Sequence, residues 1–116
     1  MTIKIKRAYE PPDPGDGERI LVDRLWPRGL SKERAQLNLW LKEVAPSTAL
    51  RVWFGHDPNK WVGFSAKYRT ELRKNNDLVK VLAAKANAGT VTLIYAARDE
   101  EHNEAVILKE FLEDTR

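Results

Sequence analysis

Three segments of the chain have the hydrophobic patterns of β-strands. In Thr2–Ala8 apolar and basic side chains alternate, and this period of two predicts a strand near a sheet edge. Arg19–Asp23 is a short apolar run that predicts a buried strand. Thr90–Ala97 is β-branched, aromatic and nearly continuous in apolar character, which is typical of a central strand covered on both faces.

Helical periodicity dominates the second half of the chain. Apolar side chains recur there at intervals of three or four residues, so the members of each set share one helix face. The three sets are Trp61, Phe64, Tyr68 and Leu72; Leu78, Val79, Leu82 and Ala86; and Ala105, Leu108, Phe111 and Leu112. The predicted caps are Ser31 before a helix over Lys32–Ala35, Ser47 before a helix through Phe54, Gly89 after the second long helix, and Asp99 before the last helix.

The remaining segments are irregular or ambiguous. Prolines and glycines predict a loop over Tyr9–Gly17 and irregular backbone over Trp26–Leu30. The leucines of Leu37–Val44 alternate as in a strand, whereas its larger apolar set also fits a helix. We favour a short strand or extended segment there.

Strands separated by helices predict a single α/β domain over residues 1–116, with a small, mostly parallel sheet flanked by helices. In such sheets, ligands bind in a crevice beyond the carboxyl ends of the strands. The polar and aromatic residues that follow the predicted strands are Arg7 and Tyr9; Arg24, Trp26 and Arg28; and Arg98, Asp99, His102 and Asn103. If the strands are parallel, these three groups meet at one edge of the sheet.

The residue types at that edge suit an anionic ligand. Arginine pairs with carboxylate or phosphate through two hydrogen bonds, and Tyr9 and Trp26 can stack on a ring. At a helix start, His102 beside Asp99 favours a neutral imidazole able to accept a proton, which makes the two residues a candidate acid–base pair. His56 lies in a turn that can approach the same edge. The alternative interpretation is structural: Arg24 pairs with nearby acids, and His102 bonds a neighbouring loop.

Charge is distributed unevenly along the 116 residues, which carry a formal net charge of +3. Residues 19–34 hold five bases against two acids, whereas residues 98–116 hold seven acids against three bases. This bipolar pattern indicates either a localised anion-binding patch or ordinary solvated faces. The absence of cysteine excludes disulfides, thiolate metal sites and a cysteine nucleophile.

Other function classes find little support in the sequence. There is no apolar run long enough for a membrane span and no signal peptide, so we expect a cytoplasmic protein. The two histidines lack a metal-ligand spacing, and no glycine-rich nucleotide motif is present, so we expect no metal and no cofactor. The oligomeric state stays open.

Three ordered motifs, Arg19–Gly29, Trp53–Pro58 and Tyr95–Asn103, give the chain a specific resemblance that covers nearly its whole length. The sequence resembles the YeaO-like family of small bacterial proteins, a domain family of unknown function. The resemblance implies a compact α/β fold and a bacterial cytosolic setting, and it brings no established activity. Larger relatives carry a cysteine–histidine pair after the last strand, but the matching places here are Asn103 and Glu104, so cysteine chemistry is not transferred.

The sequence therefore predicts a protein that binds a small phosphate- or nucleotide-like anion at the strand ends, with or without acid–base catalysis by His102 and Asp99. Two alternatives remain. One is a nucleic-acid-binding module without catalysis, which the modest net charge and the acidic C-terminal helix disfavour. The other is a protein-interaction module whose four tryptophans form an interface.

Overall fold

The last strand along the described part of the chain is one of the two inner strands of the sheet. A computed structural model, which describes residues 1–114, gives four strands in the order β1-β4-β2-β3, and every pair of neighbours is parallel. The strands are β1 Thr2–Arg7, β2 Glu18–Leu21, β3 Leu39–Trp40 and β4 Thr90–Tyr95. This topology confirms the predicted α/β fold, with the first strand at an edge and the last one in the middle.

Five α-helices accompany the sheet. They are α1 Lys32–Ala35, α2 Thr48–Phe54, α3 Trp61–Lys74, α4 Asn76–Ala88 and α5 Glu104–Asp114. Within residues 1–114, no helix combines the length and the apolar character needed to cross a membrane. The ambiguous segment over residues 37–44 is extended at β3 and then forms a single 3-10 turn over Lys42–Val44, which confirms the strand interpretation over the helical one.

Most of the helix caps lie where the sequence places them. The Ser31 hydroxyl accepts from the backbone N–H of Arg34 at α1, and the Ser47 hydroxyl accepts from that of Leu50 at α2. Gly55 then ends α2 in the left-handed conformation, with a φ of 54°. Such caps satisfy backbone groups that have no partner within the helix.

The prediction that Asp99 caps the last helix is wrong. Its Oδ1 accepts from the N–H groups of Glu101 and His102, at 2.9 and 3.0 Å, and so closes a separate turn. Helix α5 begins five residues later, where Asn103 Oδ1 accepts from the N–H of Val106 at 3.2 Å. Aspartate readily forms such local turns, which compete with helix initiation. His102 therefore precedes the helix and does not lie in its first turn.

The core is divided by the sheet into a large and a small cluster. Alternate side chains of β2 and β4 point to opposite faces, as the strand period requires. Ile20 and Leu93 join the large cluster with α2 to α5, whereas Leu21 and Ile94 join the small one with α1 and Ala8. Burial on both faces explains why β4 reads as a nearly continuous apolar run.

Arg19 takes no part in a surface anion patch. The residue is only 4% exposed. Its Nη1 pairs with the buried Asp16 carboxylate at 2.6 Å, while Nε and Nη2 donate to the carbonyl of Ala35. Lys6 also reaches Asp16, at 3.1 Å. The ion pair of Asp16 with Lys6 links the loop before β2 to strand β1. Arg19, one of the five bases counted over residues 19–34, therefore has a structural role.

Candidate functional site

A cavity of about 320 Å³ opens beyond the carboxyl ends of β2 and β4. Because Leu21 pairs with Ile94 in register, the loops that follow these two strands start at the same level. The start of α5 and residues of α2 and α3 close the cavity from the other side. The side chains used below that line it are Tyr9, Asp23, Arg24, Trp26, Arg28, Arg51, Phe54, His56, Phe64, His102, Asn103 and Glu104.

Three arginines contribute to the cavity wall, from the loop after β2 and from α2. Arg24 is anchored because its Nε donates to the carbonyl of Pro46 and its Nη2 to that of Ala45, both at 3.2 Å. Arg28 and Arg51 are exposed, so their guanidinium groups are free to reach an incoming ligand. The lining therefore contains one guanidinium group that is held in place and two that are accessible.

The lining also contains two neighbouring carboxyl groups. Asp23 Oδ2 accepts from the backbone N–H of Ala96 at 2.9 Å, which fixes the carboxylate at the end of β4. Glu104, the first residue of α5, lies within hydrogen-bonding reach of Asp23. Among the residues that the structure describes, no N–H or O–H group donates to the buried Oε1 of Glu104.

The surroundings of Glu104 favour its protonated form. Burial raises the pKa of Glu104 well above its ordinary value, and the negative charge of Asp23 and the hydrogen bond to it raise that pKa further. A protonated Glu104 can donate to the Asp23 carboxylate, whereas two ionised groups at this separation would repel each other.

A buried tyrosine lies close to this pair. Tyr68 is fully buried, and its hydroxyl donates to the carbonyl of Val44 at 2.7 Å. Burial raises the pKa of Tyr68 well above its ordinary value, and the charges of Glu104 and Glu71 add to the effect. The phenol is therefore a fixed, neutral part of the structure.

His102 and Asp99 form a pair at the cavity wall. His102 Nδ1 lies 2.9 Å from Asp99 Oδ2, and its ring meets the Trp61 ring edge-on at 5.1 Å between centroids. The backbone N–H of Glu101, followed by the His102 side chain, lowers the pKa of Asp99 below its ordinary value. An ionised carboxylate on Nδ1 orients the imidazole and directs its other nitrogen away from Asp99.

Aromatic side chains supply the apolar walls. Phe54 and Phe64 stack at 4.1 Å between ring centroids. Trp26 donates its indole N–H to the carbonyl of Leu30 at 2.6 Å and meets the Trp40 ring edge-on at 5.4 Å. These contacts hold the rings in place, so the cavity has fixed sides.

Most of the candidate residues from the sequence come together here. Those that line the cavity are Tyr9, Arg24, Trp26, Arg28, His56, His102 and Asn103. Asp99 lies behind His102. Arg7 does not line it, because its Nε donates to the Ala97 carbonyl at 2.9 Å and its guanidinium lies over the Tyr9 ring. Arg98 is exposed outside the cavity lining.

Sequence reasoning missed three charged residues of the lining. Asp23 directly follows β2, so the strand-end argument that selected Arg24 applied to it equally. Glu104 adjoins Asn103, at the place where the family resemblance puts half of a cysteine–histidine pair in larger relatives. Arg51 lies in α2 and follows no strand, so no signal in the sequence connects it to this edge.

No group of three or more histidine, aspartate and glutamate side chains suited to a metal ion occurs within residues 1–114. The cavity instead combines guanidinium groups, aromatic walls and a carboxyl pair.

The fold and the cavity define a small α/β protein with a pocket at the carboxyl edge of a parallel sheet. The sequence pattern of a family described as the inactive DUF488-N3 subclade matches residues 2–116. The chain belongs to this family. It is 41% identical over 112 residues to the uncharacterized protein YeaO of Escherichia coli, covering 97% of each chain.

A second bacterial relative matches over a similar length. The chain is 36% identical over 110 residues to the uncharacterized protein Rv3073c of Mycobacterium tuberculosis, covering 95% of this chain and 92% of the relative. Both relatives support the resemblance to a YeaO-like family of unknown function. No solved structure matches the chain at a significant level.

Proposed function

We propose that this protein binds a small anionic ligand of the phosphate or nucleotide class in the strand-end cavity. The observation that carries the proposal is that Arg24, Arg28 and Arg51 line one cavity of about 320 Å³. Arginine recognises phosphate and carboxylate through paired hydrogen bonds. A pocket of this volume is at the small end of the usual range for ligand sites, which suits one compact molecule.

Binding without turnover agrees best with the family description. The matching family is described as an inactive subclade, and the chain has no cysteine to serve as a nucleophile. The arginines provide a way to hold an anion, and holding does not require chemistry. We therefore place binding ahead of catalysis.

The test is a titration of purified protein with inorganic phosphate, pyrophosphate and ribose 5-phosphate by isothermal titration calorimetry. We expect Arg51→Ala with Arg28→Ala to weaken binding by about tenfold or more, since each charge-assisted hydrogen bond contributes roughly 1.5–3 kcal/mol. Arg73→Ala, which removes an exposed arginine of α3 outside the cavity lining, is the matched control. The absence of binding by every one of these anions would refute the proposal.

Acid–base catalysis is the second candidate, and the 2.9 Å pair of His102 and Asp99 favours it. An imidazole oriented by a carboxylate at a pocket wall has the geometry of a general base. If this candidate is correct, we expect the protein to hydrolyse a phosphate ester. We expect both Arg51→Ala and His102→Gln to abolish the release of phosphate. Release of phosphate that persists unchanged in His102→Gln would exclude a role for this pair.

A further inference from the structure

His102, which lines the cavity, combines a ring held in place with a ring nitrogen that has no partner. Its Nδ1 lies 2.9 Å from Asp99 Oδ2, and its ring meets the Trp61 ring edge-on. None of the hydrogen bonds within residues 1–114 uses its Nε2, and Nε2 is not a buried atom. This nitrogen can therefore gain or lose a proton without breaking a bond.

The neighbouring carboxylate determines which nitrogen of a neutral His102 carries the proton. The backbone N–H of Glu101, followed by the His102 side chain, lowers the pKa of Asp99, so this carboxyl group is ionised at neutral pH. An ionised carboxylate only accepts hydrogen bonds, so Nδ1 carries the proton and donates to Asp99. The proton that His102 takes up as pH falls consequently goes to Nε2, and the charge of Asp99 stabilises the resulting imidazolium.

His102 shares the cavity with other groups whose charges act on an anion. The basic side chains of the lining are Arg24, Arg28, Arg51 and His56, and the acidic ones are Tyr9, Asp23 and Glu104. Trp61, which α3 places against the His102 ring, carries no charge. Arginine stays protonated at all relevant pH values, whereas imidazole changes its charge between about pH 5 and pH 8. The two histidines and the carboxyl pair are therefore the groups to separate by substitution.

His102 is favoured over His56 as the residue whose charge acts on the cavity. Among the ion pairs within residues 1–114, His102 is the histidine that takes part, and its side chain is only 31% exposed. His56 lies in the turn after α2 and is exposed. Solvent and salt screen the charge of an exposed side chain more than that of a half-buried one. Protonation of His102 therefore changes the potential in the cavity more than protonation of His56 does.

We infer that His102 is a proton-dependent binding residue of the cavity, so that an anionic ligand is taken up together with a proton from solvent on its imidazole. The protonated ring adds a positive charge to the lining, where the effective dielectric constant is below that of water and attraction to an anion is stronger. The proton also converts Nε2 from an acceptor into a donor. Asp99 is a positioning residue, because it holds the ring from outside the cavity lining. This inference rests on the proposed anion-binding function.

Calorimetric titrations at pH 5.5 and pH 8 test this coupling with sulfate and with ribose 5-phosphate. Sulfate keeps two negative charges over this range, so its own titration does not contribute. Ribose 5-phosphate loses a proton in this range, so its pH dependence is read as the difference between the parent protein and His102→Gln. We expect the parent protein to bind sulfate about fivefold or more tightly at pH 5.5 than at pH 8. Titrations near pH 7 in buffers of different ionisation enthalpy should show net proton uptake.

His102→Gln keeps a polar side chain that does not titrate. We expect it to reduce the pH dependence of sulfate affinity to less than about twofold and to abolish proton uptake. Asp99→Asn keeps an oxygen acceptor for the N–H groups of Glu101 and His102, but it removes the charge that stabilises the imidazolium. The rise in affinity should therefore move to lower pH in this variant. Glu101→Gln, at an exposed residue of the same turn, is the matched control.

The outcomes distinguish the inference from the function beneath it. Sulfate affinity that is equal at both pH values in the parent protein would overturn the coupling and leave anion binding intact. A pH dependence that survives in His102→Gln would also overturn it, and loss of that dependence in Glu104→Gln or His56→Gln would identify the responsible group. Failure of both anions to bind at either pH would remove the proposed function itself, and the inference with it.

Discussion

At the scale of single residues, the surroundings of Asp16 and Glu104 shift their pKa values in opposite directions. Asp16 is held by Lys6 and Arg19, at 3.1 and 2.6 Å. Burial tends to raise the pKa of Asp16, but the hydrogen bonds from the Asp13 N–H and the two cations outweigh it and lower that pKa overall. Glu104 instead has another acid, Asp23, within hydrogen-bonding reach. An acid with cationic partners stabilises the fold when ionised, whereas Glu104 stabilises it when protonated.

The first prediction concerns Glu104→Gln and the pH dependence of stability. In the unfolded chain Glu104 loses its proton in the ordinary carboxyl range, whereas in the native state it keeps the proton to higher pH. The native protein therefore binds more protons, and its stability falls as pH rises from that range through the raised pKa. The amide of the glutamine does not titrate, so the stability of the variant does not decrease for this reason as pH rises.

We expect Glu104→Gln to match the parent protein near pH 4 and to exceed it by about 1 kcal/mol or more at pH 8, since a tenfold displacement of a proton equilibrium corresponds to about 1.4 kcal/mol. Urea unfolding across this pH range measures the difference. Glu101→Gln should show no such trend. A constant difference between Glu104→Gln and the parent at all pH values would show that Glu104 is ionised in the native state.

At the scale of elements, local chemistry predicts most of the boundaries. Helices begin after Ser31 and Ser47 because each hydroxyl accepts a hydrogen bond from a backbone N–H group of the first turn. Helix α2 ends at Gly55 because glycine readily adopts the left-handed backbone conformation. The wrong prediction that Asp99 caps α5 also results from local hydrogen bonding by a side chain. Asp99 and Asn103 both carry capping side chains, and the sequence does not show which of them closes a turn and which begins the helix.

The second prediction concerns the turn that leads into β2. Gly17 has a φ of 63°, and a Cβ placed there would lie 2.2 Å from the backbone oxygen of Thr90. Neither the left-handed backbone nor the contact with β4 can relax without moving the sheet. We expect Gly17→Ala to lower the free energy of unfolding by about 2–4 kcal/mol, from backbone strain together with overpacking.

Gly29→Ala is the matched control for this substitution. Gly29 has a similar φ of 75°, but a Cβ there would meet nothing within 4 Å. Its cost should be limited to backbone strain, about 1 kcal/mol. Chemical denaturation of both variants measures the difference, and equal costs would mean that the approach of Thr90 to Gly17 is not restrictive.

At the scale of the whole molecule, the sequence predicts the fold better than the site. The apolar runs and helical periods determine the layers, and parallel strands bring Arg24, Arg28 and His102 to one edge. The pairing of Asp23 with Glu104 depends on two elements that lie far apart in the chain. Glu104 belongs to an acidic segment that appears uniformly solvated in the sequence, and only packing shows that this one carboxyl group is buried.

The strand order also makes the fold dependent on the end of the chain. Strand β4 separates β1 from β2 and pairs with both, so the first 89 residues contain no partner for β1. The large core cluster also loses the apolar side chains of β4 and α5 when these elements are absent. Most of the sheet can therefore form only after the last quarter of the chain is available.

The third prediction is that a chain ending at Gly89 does not fold cooperatively. All four tryptophans precede residue 90, so the truncated and full chains carry the same fluorophores. We expect red-shifted emission and no sigmoidal urea transition in the truncated chain, because the buried residues Ile3 and Ile20 lose the strand that pairs with theirs. Full-length protein under the same conditions is the control. A cooperative transition in the truncated chain would show that β2, β3 and the first four helices form a stable core without β4.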